Sequence, residues 1–155
     1  MKFAFLLFLL LFVISGCTNS NKHSIKPELY KDSEVNMVSL KLNTITVCKH
    51  NDGYVATISN GHAIKTVSFT NNREVTSVEN IELIEQNSFE QYVTKKYDEV
   101  IADLGEPHTD IGSGFYIPTY LTSNARLVSF YIENECVSAI WIRDLFSGEV
   151  ILKAD

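Results

Sequence analysis

At Ser88 the hydrophobic period of this sequence changes. From Val38 to Ile84 apolar and polar residues broadly alternate, as on a half-wet β-sheet. From Phe89 onward the apolar residues Phe89, Tyr92, Val93, Tyr97, Val100, Ile101 and Leu104 fall on one stripe of helical period, with Lys95, Lys96, Asp98, Glu99 and Asp103 off it. The stripe predicts a main helix over about 88–104, either continuous or broken near Lys96. Ser88 is placed to cap its start, with Gln91 as capping-box partner. Gly105 suits its C-terminus, and Pro107 forbids continuation. After Pro107 strand signals resume. The fold class is therefore α+β, with antiparallel meanders packed against one main helix.

The meanders can be followed by their turns. "SLKLNTITVCKH" and "YVATIS" read as strands separated by Asn51-Asp52-Gly53. Asn60-Gly61 is a strong hairpin signal before "HAIKTVSF". Asn71-Asn72 precedes "REVTSVENIELI". Tyr54, Ala56 and Ile58 share one face, as do Ala63, Val67 and Phe69, where Lys65 intrudes. In the second half "FYIPTYLT", "RLVSFYIE", "CVSAIWIRDL" and "FSGEVILK" read as strands, with Pro118 calling for an edge or a bulge. The folded part is a single domain, 38–155, made of a β-meander at 38–85 and a helix plus β-meander at 88–155.

The N-terminus sets an expected location. Lys2 precedes an apolar run from Phe3 to Ile14, which is short for a permanent bilayer span. Ile14-Ser15-Gly16-Cys17 resembles the bacterial lipobox, in which the signal is cut before a cysteine that then carries lipid. On this reading residues 1–16 are a lipoprotein signal peptide, Cys17 is lipidated, and 17–37 is a polar flexible tether. The protein is then extracytoplasmic and anchored by its lipid to the cell membrane, or to the outer membrane if the source has two.

Charge narrows the partner. Removing residues 1–16 takes away Lys2 and no acid, leaving 12 basic and 19 acidic residues, a formal net charge of −7. That argues against nucleic acid. Cys48 and Cys136 are the remaining cysteines, and an extracytoplasmic location allows a disulfide between them.

Catalytic patterns are thin. His23, His50, His62 and His108 lie in the tether or in or beside turns, and read as exposed turn histidines without metal-ligand spacing. Glu79, Glu82 and Glu85, and the pair Glu133 and Glu135, read as solvated acidic faces. In "TDIGSGFYIPTY" Ser113 stands between Gly112 and Gly114. A nucleophile elbow needs a preceding strand, and a phosphate loop needs Lys-Ser/Thr and a following helix. The glycines read instead as backbone devices where the chain passes from helix to sheet, with positive φ or a close approach expected. No metal or cofactor is expected. An enzyme or small-ligand binder would have to use this loop with His108, Asp110 or the Glu133/Glu135 pair.

Aromatic side chains concentrate in the second meander. Most belong in the core, but the consecutive pairs Phe115/Tyr116 and Phe130/Tyr131 should each turn one ring outward if they lie in strands. Phe115, Tyr116 and Tyr131 are therefore the candidate partner surface.

Val100, Leu104, Gly105 and Pro107 form a Val-x-x-x-Leu-Gly-x-Pro helix ending that is followed by a loop and a short meander. Over roughly 88–143 this resembles the SmpA/OmlA (BamE-like) small lipoproteins and the related repeat of the β-lactamase-inhibitor-protein fold, in a Gram-positive-type version. Lys95-Lys96-Tyr97 stands where those families usually have Gly-Met-Thr or similar. The resemblance implies a non-catalytic protein that binds an envelope or secreted protein, and it carries no catalytic residues over. The expected function is a membrane-anchored envelope lipoprotein that binds a protein partner through its sheet and adjoining loops. The alternative is an immunity or inhibitor lipoprotein.

Overall fold

The computed structural model describes residues 37–61 and 63–155. The expected signal peptide, Cys17, nearly all of the tether, His23 and His62 lie outside the described residues. The described residues form two five-stranded antiparallel sheets and one short α-helix.

The first sheet is a simple meander of β1 (Met37–Lys41), β2 (Ile45–His50), β3 (Gly53–Ser59), β4 (Ile64–Thr70) and β5 (Val75–Glu79). "SLKLNTITVCKH" is thus two strands, because the chain reverses through 42–44 and pairs Lys41 with Thr46. Ser59 pairs with Ile64, so the Asn60-Gly61 signal opens a four-residue connection rather than a two-residue one. Register places Val47, Ala56 and Val67 abreast, all fully buried, and Thr46, Thr57 and Thr66 abreast on the wetter face. Lys65 sits on the apolar face, as its place in the alternation indicates. It reaches across the fold to donate from Nζ to the His108 carbonyl at 2.9 Å.

The second sheet contains β6 (Thr109–Asp110), β7 (Pro118–Leu121), β8 (Arg126–Glu133), β9 (Cys136–Asp144) and β10 (Val150–Ala154), again with neighbours in chain order. Glu133 pairs with Cys136 across Asn134 and Glu135, whose φ values of 51° and 67° make a two-residue primed turn. Pro118 is the first residue of β7, where a missing donor is tolerated.

Alternation divides the second sheet's side chains between two cores. On one face Leu121 and Leu127, with Ala125 and Leu145, close against Ile45, Val47, Ile58, Val67 and Phe69 of the first sheet. On the other face Val128, Phe130, Ile140 and Ile142 pack with Tyr120 beneath Phe89, Tyr92 and Val100. Each buried Leu, Ile or Phe contributes about 1.5–3 kcal/mol, so both cores matter to a domain of this size.

The expected helix over 88–104 is shorter than its hydrophobic stripe. A 3₁₀ turn at Glu90–Tyr92 comes first, and the α-helix, α1, is Tyr97–Leu104. Between them the backbone pairs with the head of β9. Thr94 donates to the Val137 carbonyl, Val137 donates to Lys95, and Tyr97 donates to Glu135. Thr94 has φ 70°. These bonds hold the segment out of the helix while Phe89, Tyr92 and Val100 still reach one core. Ser88 does not cap a helix; its hydroxyl bonds the Glu90 carboxylate at 2.9 Å. Gly105 does cap α1, donating to the Ile101 carbonyl at 2.8 Å.

Candidate functional site

The loop between β6 and β7 is the most elaborately built turn of the second sheet. Asp110 Oδ1 accepts from the amides of Gly112 and Ile117, both at 2.8 Å. The Ile111 amide donates to the Ile117 carbonyl at 3.2 Å, closing the neck. From the first sheet's 42–44 turn, Asn43 Nδ2 donates to the Gly112 carbonyl at 3.1 Å and Thr44 Oγ1 to the Asp110 carbonyl at 3.0 Å. Both sheets therefore brace the loop. Gly114 has φ 101°, a region that disfavours side chains. A Cβ on Gly112 would overlap the Phe115 carbonyl oxygen. The glycines thus serve backbone geometry, one by positive φ and one by close approach.

This bracing decides what the loop presents. Ser113 is exposed, and its hydroxyl has no partner among the described residues. Asp110 is committed to the loop amides. His108 is not an exposed turn histidine but is 94% buried. Its Nδ1 accepts from the Leu121 amide at 2.8 Å, and its ring also hydrogen-bonds the Glu82 backbone. Burial, assisted by the Lys65 charge, lowers its pKa to about 4. His108 is therefore neutral at pH 7 and ties β7 to the segment after β5. Its only local sequence signal was a histidine beside a proline, which says nothing of burial.

Phe115 and Tyr116 do not alternate as a strand pair. β7 begins only at Pro118, so both rings stand outside the ladder, 65% and 49% exposed. The Phe130/Tyr131 pair does alternate: Phe130 is buried and Tyr131 faces the other way. The fold brings the sequence-picked residues together. Phe115, Tyr116 and Tyr131 line one hollow of about 390 Å³ with Ile132, Glu133 and Ser138. Tyr116 also borders a second hollow of about 390 Å³ with Tyr97, Ile132, Lys96, Asp98 and Glu135. The Tyr97 and Tyr116 rings meet edge to face at 6.1 Å, which fixes the outward ring. Burial raises the Tyr97 phenol pKa, so it stays protonated. Tyr97 is the member of this surface that sequence reasoning assigned to the helix stripe instead.

Glu133, at the end of β8, and Glu135, in the turn to β9, are both exposed and edge different hollows. Glu79, at the end of β5, and Glu82 and Glu85 after it are all exposed. A larger cleft, about 660 Å³, lies elsewhere, lined in part by Lys65, Glu82, Glu85, Asp103, Glu106 and His108. Among the described residues no three His, Cys, Asp or Glu side chains converge as a metal site.

Cys48 and Cys136 are both free thiols, contrary to the candidate disulfide. The topology separates them. Cys48 is mid-strand in β2 between Val38 and Val55, whereas Cys136 opens β9 beside Lys96. Among the described residues no helix is long and apolar enough to cross a membrane.

Comparison of the chain with protein-family models, curated proteins and solved structures finds no match. The class defined by fold and surface is a two-sheet α+β domain presenting an aromatic loop.

Proposed function

We propose that this chain is a membrane-anchored cell-envelope lipoprotein that acts by binding a protein partner rather than by catalysis. One observation carries the reading: Phe115 and Tyr116 are held open to solvent on a loop braced from both sheets. Exposing two large rings is unfavourable unless something covers them, and aromatic side chains are enriched where proteins meet. The bracing reduces the ordering cost of binding, because the loop is already fixed. The lipobox-like Ile14-Ser15-Gly16-Cys17 and the helix ending at Val100, Leu104, Gly105 and Pro107 point the same way, toward small envelope lipoproteins that bind other proteins. The groups a catalytic loop would need, Asp110 and His108, are engaged in holding backbone together.

The test is crosslinking capture from native membranes with the full chain and with the Phe115→Ala/Tyr116→Ala double variant. A protein recovered reproducibly by the parent and lost with the double variant is expected. Equal recovery by both, or none by either, sinks the reading. The anchor is tested separately with Cys17→Ser. Membrane partition and lipid mass should both disappear, and identical partition of the two chains without any lipid mass overturns it.

A further inference from the structure

We infer that the hollow between Phe115, Tyr116, Tyr131 and Glu133 receives an arginine side chain of the protein partner, an inference that rests on the protein-binding reading above. The ground is how the chain's own cations are distributed over its rings. Lys49 lies over Tyr54, Arg73 over Phe146, Lys95 over Tyr92, and both Arg143 and Lys153 over Trp141. Phe115, Tyr116 and Tyr131 have no such cover among the described residues, although Phe115 is the most exposed large apolar side chain described. Aromatic faces attract cations because their π-clouds are negative.

The charge around the hollow agrees. Its only ionisable carboxylate or amine is Glu133. The adjoining hollow adds Asp98 and Glu135 against Lys96, so acid prevails across both. Glu133 forms no ion pair with any described residue. A guanidinium is flat enough to stack on a ring and carries a fork of donors for a carboxylate beside it. Ser138, already donating to the Tyr131 carbonyl at 3.2 Å, keeps its oxygen able to accept. The hollow is therefore lined by aromatic rings, a carboxylate and a hydroxyl acceptor, a set that matches a guanidinium.

The probe is acetyl-Arg-Gly-Arg-amide, titrated into the ¹⁵N-labelled full chain in detergent, with the neutral citrulline counterpart in parallel. Amide shifts centred on Phe115, Tyr116 and Tyr131–Glu133 are expected with the arginine peptide and not with the citrulline one. Glu133→Gln and Phe115→Ala should each weaken that response, by about fivefold, while leaving the rest of the spectrum unchanged. Three results overturn the inference: no response at millimolar peptide, equal response to citrulline, or shifts spread over the acidic surface at large. Self-association that covers these residues before peptide is added also overturns it, since the occupant is then a second copy. The peptide titration decides the arginine, and partner capture with the double variant decides the protein-binding reading. Capture lost in the double variant without any peptide response therefore removes the arginine and leaves the partner surface standing.

Discussion

The backbone at Gly112 passes so close to the Phe115 carbonyl oxygen that no side chain fits between them. The loop's shape therefore depends on that glycine more than on the serine beside it. Gly112→Val is expected to destabilise by on the order of 2 kcal/mol, lowering the melting temperature by roughly 6–10 °C. Ser113→Ala, at an exposed hydroxyl without a partner, should stay within about 0.5 kcal/mol. Thermal unfolding of the two variants checks the contrast, and equal effects would show that the loop is not held by the close approach. Because the same loop presents Phe115 and Tyr116, Gly112→Val should also weaken partner capture.

Asp144 organises the turn that follows β9. Its Oδ1 accepts from the amides of Phe146 and Ser147 and from the Ser147 hydroxyl, and its Oδ2 lies 2.5 Å from Arg73 Nη2. Burial pushes its carboxyl pKa up, but the Ser147 amide, Arg73 and the Phe146 amide outweigh that and leave it lowered. Arg73 is 45% exposed, so the ion pair itself is worth little. The turn amides are the larger loss. Asp144→Ala should cost about 1–3 kcal/mol, and Arg73→Ala less than about 1 kcal/mol, in denaturant titrations. The native pKa lies below the unfolded one, so Asp144's contribution is complete above pH ~4 and fades as pH falls further. In Asp144→Asn that fading should be absent.

Much of this architecture is legible from local pattern. The strand β8 coincides with the "RLVSFYIE" reading, and Phe130 and Tyr131 alternate as strand neighbours must. The intrusion of Lys65 on an apolar face was visible, though not its bond to His108. The failures share a cause. The helical stripe at 88–104 was interrupted because Thr94, Lys95 and Tyr97 bond residues forty positions on, near Glu135 and Val137. Phe115 and Tyr116 face outward together because Asp110 closes the loop and delays β7 to Pro118. Each is a tertiary hydrogen bond with no periodicity to announce it. The site is legible as three aromatic residues and, separately, the Glu133/Glu135 pair; that these lie together and that Tyr97 joins them follows from the pairing of β8 with β9 and the Tyr97 bond to Glu135.

The cysteines give a redox prediction. Cys48 and Cys136 are free, so no covalent loop constrains the unfolded chain. A reducing agent should leave the melting temperature of the domain unchanged, and thiol titration of the unfolded domain should count both sulfurs as reactive. A drop of several degrees on reduction would show that the two are bonded after all.

His108 sets a second pH dependence, in a window separate from that of Asp144. In the unfolded chain it takes a proton near pH 6.5, whereas in the fold burial and the Lys65 charge hold its pKa at about 4, against an opposing hydrogen bond to the Glu82 backbone. Between those values the unfolded state binds the extra proton and the folded state does not. Stability therefore falls as pH drops from about 6.5 to about 4, by an amount on the order of 3 kcal/mol, and is fully recovered above pH 6.5. His108→Gln should be less stable than the parent at pH 7, because the Leu121 amide loses a well-placed acceptor. It should nevertheless lose most of the slope between pH 4 and 6.5. Lys65→Met offers the converse test. Removing the neighbouring charge should raise the native His108 pKa and narrow the window from its acid side. Urea titrations across pH 4–8 on all three chains separate these outcomes, and an unchanged slope in His108→Gln would assign the acid sensitivity to another group.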